Sequence, residues 1–504
     1  MHILAIDQGT TSTKALVIDP RGRIVGVSPQ YKIDAHYPRP GWVEFDPREM
    51  LRSIKLSAQA ALESAGLNWS NIAALGLANQ GETVIAFDGD SGEPVYPAIS
   101  WQDRRGDHYL ERWGRDDGGQ RVTALTGLRL DTYFSAPKLA WIVEHIPRAK
   151  QLLATSKLRC GTSDAWLIWQ LTGGRNFVSD CSTASRTMLL DLTTLNWSEE
   201  LSERLQIPLE CLPTVVPSCG PFGLTSADFF GAEIPITGLC VDQQAALFGH
   251  QVFDPGQIKI TYGTGCFVLG NIGSDAERRA SGINTSVGWR IGDVTVYVLE
   301  GGALSGGSLI DWLCKMQLAV NPEDVFRQAR DARVDSPILL IPAFSGMGAP
   351  VWSDRARGCW LGMDLSVDRG DLAKSALEAI AFSVAHIVEA MSCANFAATS
   401  VRADGGLSRS PDLMQLQADV LNTPIECSAL TECTALGVGY LAGLGCGLWN
   451  SLQELPPIEA STTVYEPRID RQEPISIKYD KWKRACDKVV EMGSSGLFEP
   501  IGLA

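Results

Sequence analysis

Two segments far apart in the chain share one construction: an apolar run, a tip of glycine and threonine, and a second apolar run. In the first, residues 3–6 are apolar and stop at Asp7, the tip is Gln8-Gly9-Thr10-Thr11-Ser12, and an apolar run resumes beyond Lys14. In the second, residues 257–271 hold two apolar runs around Gly263-Thr264-Gly265. Each reads as a β-hairpin. A glycine at the tip permits a tight turn, and the N–H groups and hydroxyls left there can point at an anion such as a phosphate. What surrounds the hairpins also recurs. After the first come a strand over residues 23–31, a helix over Pro47–Ala65 closed by Gly66, and strands over 71–79 and 83–88. After the second come strands over 294–299, 338–344 and 359–364, a helix near Gly307, an amphipathic helix over 371–391, a strand at 401–403 running into Asp404-Gly405-Gly406, and a helix over Pro411–Leu421. This predicts one α/β layout used twice, with a boundary near residue 248 and no readable sequence period. The two domains expected are residues 1–247 and 248–504, with residues 456–474 an exposed connection before a last helix.

A length of 504 residues agrees with two cores rather than one. The formal charge of −15 argues against loose binding to nucleic acid or to an anionic membrane surface. No uninterrupted apolar stretch approaches the roughly 18 residues of a membrane span. Thirteen cysteines are scattered from Cys160 to Cys486 without a C-x-x-C pair, a pattern expected of reduced thiols in the cytoplasm. The six histidines show no i, i+3 or i, i+4 pairing, so no zinc site is expected.

Three elements carry the chemistry. At the first tip, Asp7 could hold Mg²⁺ through water, since that ion keeps much of its hydration shell. Thr10, Thr11 and Ser12 offer donors there, and Lys14 a positive charge. The G-x-x-x-x-G-K-[ST] spacing of a Walker loop is absent, and a plain polar turn is the structural alternative. Gly263 and Thr264 repeat the donor chemistry, and Gly405-Gly406 at a strand end lets backbone approach a planar ligand such as adenosine. Asp242 ends the apolar run 238–241 and is followed by Gln243 and Gln244. A carboxylate so placed could accept the hydroxyl proton during phosphoryl transfer to an alcohol and could also face the metal. The alternative is a helix cap for residues 245–249.

Together these elements resemble the FGGY carbohydrate kinases, nearest the glycerol kinases among them. Residues 133–145, with Lys138 and Trp141, look like the family's first signature, and residues 358–378 like its second. Residues 37–44, 184–188, 242–249 and 261–267 add to the likeness, which spans essentially the whole chain. The resemblance implies two actin-like, ribonuclease-H-like ATPase domains flanking a central cleft where ATP and a small polyol meet, in a homo-oligomer, dimer or tetramer. It assigns the acceptor to Glu82, Trp101, Tyr133, Asp242, Gln243 and Phe267. It assigns the nucleotide to Asp7, Thr10, Thr11, Gly263, Thr264, Gly307, Ile310 and Gly406, with Ser12, Lys14, Asp311 and Ser410 beside them.

Some positions depart from the family's pattern. Asn79-Gln80-Gly81-Glu82-Thr83 has Gly81 where an arginine is usual. Losing a charged hydrogen bond to the substrate is worth about 1.5–3 kcal/mol, and a glycine there is expected to open space beside the acceptor, the alternative being that water or another side chain takes the place and glycerol remains the substrate. Lys14 replaces a common arginine and so lacks its planar fork. Asp311 and Ser410 stand where amide side chains are frequent. The expected reaction is transfer of the ATP γ-phosphoryl to a terminal hydroxyl of glycerol, giving glycerol 3-phosphate. The alternatives are another polyol or ketose, such as erythritol or xylulose, or a non-catalytic ATP-binding switch. A pure switch would have no use for the acceptor set.

Overall fold

The structure, a computed structural model, describes residues 1–115, 117–277, 280–458 and 461–498. The hairpin His2–Gln8/Ser12–Ile18 is the centre of the N-terminal sheet, with Asp7 opposite Lys14. Ile24–Val27 pairs with its second strand, while Ile72–Asn79 and then Ile236–Val241 run parallel to its first. Residues 3–6, 74–75 and 77–78 are fully buried, as strands covered on both faces require. The helix Pro47–Ala65 covers one face. Asp46 caps its start by accepting from the Arg48 N–H, Pro47 occupies the first turn, and Gly66 ends it with φ 65°.

The C-terminal sheet repeats this plan. The hairpin Gln257–Tyr262/Cys266–Gly273 is central, Val294–Ala303 pairs with its second strand, and Ser400–Asp404 followed by Ile425–Ser428 run parallel to its first. Asn284–Ile291 and Thr462–Tyr465 extend the two edges. The strand order is the same around both hairpins, which is the actin-like, ribonuclease-H-like ATPase architecture expected from the resemblance.

Beside the N-terminal sheet lies a second unit, most of it inserted between Ile72–Asn79 and Ile236–Val241. Its sheet is built from Glu44–Phe45, Ala98–Ile99, Val84–Asp88 and Leu158–Thr162, and the helix Ser135–His145 packs on it. This unit has its own apolar core, including Val84, Tyr109, Phe134, Leu139 and Met188. It supplies the wall of the cleft that bears Trp101 and Tyr133.

The sheets are joined by two helices, Asp242–Gly249 and Cys433–Gly445. The second also lies on the N-terminal sheet, where a Cβ at Gly76 would stand 2.4 Å from the Val438 carbonyl oxygen. Where the two helices cross, a Cβ on Gly249 would be 2.0 Å from the Cys433 carbonyl oxygen, and one on Gly437 1.8 Å from that of Ala245. Only glycines permit backbones this close.

Residues 338–344 and 359–364 are strand only over Leu339–Ile341 and Cys359–Leu361, which pair with each other. Residues 456–474 are not simply a connection: Thr462–Tyr465 is an edge strand, and the last helix, Ile469–Ser494, already contains Pro474. The strand is short and its Thr462, Thr463 and Val464 are exposed, so it carries no apolar alternation; Glu459 and Ala460 lie outside the described residues. One helix, Arg369–Ser392, is long and apolar enough to cross a membrane, but 72% of its most apolar window is buried within the fold.

Gly437→Ala is expected to force the two helices apart, lowering stability by about 3 kcal/mol or more, the upper end of overpacking effects. A downward shift of the urea midpoint at unchanged slope checks it.

Candidate active site

The cleft floor is made where parallel strands of the two sheets end. Asp7 is the last residue but one of the first strand and Asp242 follows the end of Ile236–Val241, with Ile72–Asn79 between them. Asp242 opens its helix rather than capping it: Val241 is the N-cap, and the Asp242 carboxylate accepts only the neighbouring Gln243 N–H, at 2.7 Å. The acid is half-buried, and among the described residues no side chain donates to it.

Beside it is a buried triad. The Arg186 guanidinium donates from Nε to Glu82 at 2.7 Å and from Nη2 to Glu300 at 2.8 Å. Arg186, Glu82 and Glu300 are 3%, 4% and 7% exposed, so the pair-plus-one is sealed from bulk water. Glu300 comes from the C-terminal sheet, so the triad spans the cleft.

Trp101, Tyr133, Phe267 and Glu300 line a cavity of about 670 Å³ that continues outward past Arg129, Asp131 and Trp352. The Trp101 and Tyr133 rings meet edge-on at 5.5 Å. The loop bearing Tyr133 is held by the buried Lys138 ammonium, which donates to the carbonyls of Thr132, Tyr133 and Phe134 at 2.6, 2.9 and 2.8 Å. A second cavity of about 370 Å³ is lined by Gln243, Lys259, Asp404, Gly405 and Gly406. Lys259 donates to the Gln243 side-chain oxygen at 3.0 Å and lies 3.9 Å from Asp404.

At the first tip Gly9 N–H donates to Ser12, Thr11 is exposed, and Thr10 Oγ1 accepts from Trp101 Nε1 at 2.9 Å. Ser12 opens the second strand of the hairpin. At the second tip the Thr264 carbonyl accepts from Gly306 and Ser308, and that of Gly263 from Gly307, so the start of the helix Gly307–Lys315 backs the tip.

Four of the nucleotide-side residues have surroundings of their own. Lys14 is not a free cation, because it forms an ion pair with Glu432 at the start of Cys433–Gly445. Ile310 is 1% exposed in the C-terminal core, the inward position of an amphipathic helix, while the adjacent Asp311 is exposed. Ser410 caps the helix Pro411–Leu421 by accepting from Leu413 N–H at 3.3 Å, which occupies one acceptor site and leaves its O–H able to donate. At the paired glycines, Gly405 is the constrained one, with φ 91° and a would-be Cβ 2.4 Å from the Tyr262 carbonyl; Gly406 faces open space.

Residues 2–249 match the N-terminal domain, and residues 258–446 the C-terminal domain, of the FGGY family of carbohydrate kinases. The chain belongs to that family. It is 41% identical to a glycerol kinase of Aromatoleum aromaticum over 97% of its length and 98% of that protein's, and equally identical, over the same shares, to one of Pseudothermotoga lettingae. The crystal structure of Plasmodium falciparum glycerol kinase with ADP superposes with a TM-score of 0.90 at 32% identity, over 97% of this chain and 98% of that one. A xylulose kinase from Rhodospirillum rubrum, at a TM-score of 0.88, 21% identity and coverage of 98% and 100%, speaks to the fold alone.

The acids of this FGGY kinase are unusually protonated. Burial, then the charge of Glu82, raise Asp242 to about 7 against the Gln243 N–H, Lys259 and Arg186. Burial, then Asp242 and Glu432, raise Asp7 to about 8, opposed by Lys14. Burial also raises Glu82, with Arg186 opposing, and lifts the Tyr133 phenol well above its usual range. Asp404 goes the other way: burial would raise it, but Lys259 and His250 hold it at about 2. Excess negative charge is thus concentrated between Asp7 and Asp242, and that donor set fits a hard divalent cation.

Arg186, Glu300, Lys259 and Glu432 were not among the residues singled out from the sequence. Arg186 stood inside a quoted motif, and a buried arginine demands carboxylate partners, but nothing local pointed to Glu300.

Because both Asp pKa values are raised from 3.8, these groups favour the fold fully below about pH 4 and lose that contribution as pH rises to about 8. Wild type should therefore lose stability relative to Asp7→Asn/Asp242→Asn across that range, and Mg²⁺ without nucleotide should restore it most at the alkaline end. Thermal unfolding of both proteins against pH, with and without Mg²⁺, reads both effects.

Proposed function

We propose that this FGGY kinase transfers the ATP γ-phosphoryl to a terminal hydroxyl of glycerol. The observation that carries this reading is Asp242: a half-buried carboxylate at a strand end, raised to about 7 with Glu82 as its main charged neighbour, next in the chain to Gln243 of the second cavity and near Tyr133 of the first. The glycerol kinases to which the chain is 41% identical supply the acceptor.

In the proposed reaction the acceptor O–H gives its proton to Asp242 as its oxygen bonds to the γ-phosphorus. The bond from that phosphorus to the β,γ-bridging oxygen breaks, and ADP leaves. A base whose pKa lies near neutrality suits that task, since it is available in both protonation states at working pH. Glu82 and Gln243 orient the hydroxyls, and the rings of Trp101 and Phe267 flank the carbon chain. The donors at Thr10, Thr11, Ser12, Gly263 and Thr264 receive the phosphates, and Gly405-Gly406 the adenosine. Mg²⁺, held through water by Asp7 with Asp242 nearby, would neutralise phosphate charge when bound. In this reading residues 1–247 hold the acceptor and 248–504 the nucleotide, and thirteen free cysteines suit a reducing cytoplasm.

A second reading, a longer polyol or a ketose, is favoured by the 670 Å³ of the acceptor-side cavity, much of it beyond Phe267 toward Arg129 and Trp352. ADP release measured with glycerol, erythritol and xylulose side by side decides between them, and glycerol is expected to give the highest kcat/KM. Asp242→Asn should lower kcat by about 10²–10⁴-fold while ATP binding, followed by calorimetry, stays nearly intact; full activity would remove Asp242 from the reaction.

A further inference from the structure

Gly81 links the end of Ile72–Asn79 to Glu82, and no left-handed backbone requires a glycine there, since its φ is not among the positive ones. The space beside it is nevertheless closed. A Cβ at position 81 would lie 2.9 Å from Cγ2 of Val241, closer than real Cβ contacts allow, with Arg186 Cγ at 3.9 Å. Val241 is 2% exposed and is the last residue of the adjoining strand, in register with Asn79. Its N–H donates to Ser182 Oγ at 3.0 Å, which pins the backbone, and a β-branched side chain has little freedom at χ1. The expectation that Gly81 opens a gap beside the acceptor is therefore corrected: a valine methyl fills it. The guanidinium of this pocket comes instead from Arg186, already held between Glu82 and Glu300.

We propose that Gly81 and Val241 form a steric pair that sets the position of Asp242 and, through it, of the acceptor. The pair ties the side chain at 81 to the reaction centre, because any group at 81 pushes on the residue immediately before Asp242. The inference rests on the acceptor site proposed above.

The test compares wild type, Gly81→Arg, Val241→Ala and the double variant, using kcat and KM for glycerol by ADP release together with thermal unfolding. Gly81→Arg alone should lower kcat/KM about ten- to hundredfold, the cost of overpacking expressed as a rate, with the loss falling on kcat because Asp242 is displaced. The double variant should recover at least tenfold of that loss and bind glycerol with a lower KM than wild type, a non-additive cycle. Gly81→Arg lowering KM alone without loss of kcat, or effects that simply multiply, would overturn the pairing. If wild type releases no ADP with any polyol, the acceptor assignment fails, and the unfolding temperatures still decide the pair. Destabilisation by Gly81→Arg that Val241→Ala relieves supports it; equal destabilisation in both backgrounds refutes it.

Discussion

One guanidinium shared by two buried carboxylates governs the cleft. Arg186 and Glu82 come from the N-terminal part and Glu300 from the C-terminal sheet. None of the three could be sealed there alone, since an unpaired buried charge is prohibitive, and removing one partner of such a set costs about 3–5 kcal/mol. The triad therefore fixes the distance between the two sheets at the floor of the cleft. It also leaves one negative charge in excess, and Glu82 is the charged neighbour that most raises Asp242. The position of Asp242 and its proton affinity thus depend on the same contact.

A second level of support is steric. The helices that join the sheets approach through Gly249 and Gly437, and the strands beneath them through Gly76 and Gly238. These contacts leave no room for a Cβ, so the helix that starts at Cys433 holds a fixed register on the N-terminal sheet. Glu432, immediately before it, is thereby delivered to Lys14. That pairing explains why Asp7, directly across the hairpin from Lys14, gains so little relief from it: the ammonium is already answered by a carboxylate, and a cation from solution has a reason to bind.

What the sequence disclosed follows from how local each signal is. Both hairpins, the helices Pro47–Ala65 and Pro411–Leu421, and the twofold layout were legible because glycine tips, caps and apolar runs are written within a few residues. The inserted unit was not, since strands as short as Glu44–Phe45 and Ala98–Ile99 carry no alternation. The strand-end place of Asp242 was legible, because an apolar run stops there at an acid. It was misread at Gly81, because the group that fills the gap is contributed by a strand remote in sequence. At Ile310 and Ser410 the structure adds what family likeness did not say: one is a core position and the other a helix cap.

One hydrogen bond joins the wall of the larger cavity to the first hairpin tip. Trp101 belongs to the acceptor wall and Thr10 to the first hairpin tip, and the indole N–H donates to the threonine hydroxyl at 2.9 Å. A hydroxyl has one donor and acceptor lone pairs. With an acceptor site occupied by the indole, the remaining O–H of Thr10 is free to turn outward as a donor, the polarity a phosphate oxygen needs. The ring that would flank the acceptor therefore also orients the hydroxyl that would meet the nucleotide. Displacement of Trp101 by an ill-fitting acceptor would be felt at the tip, which gives the fold a way to couple acceptor fit to phosphate position without any contact between the two ligands.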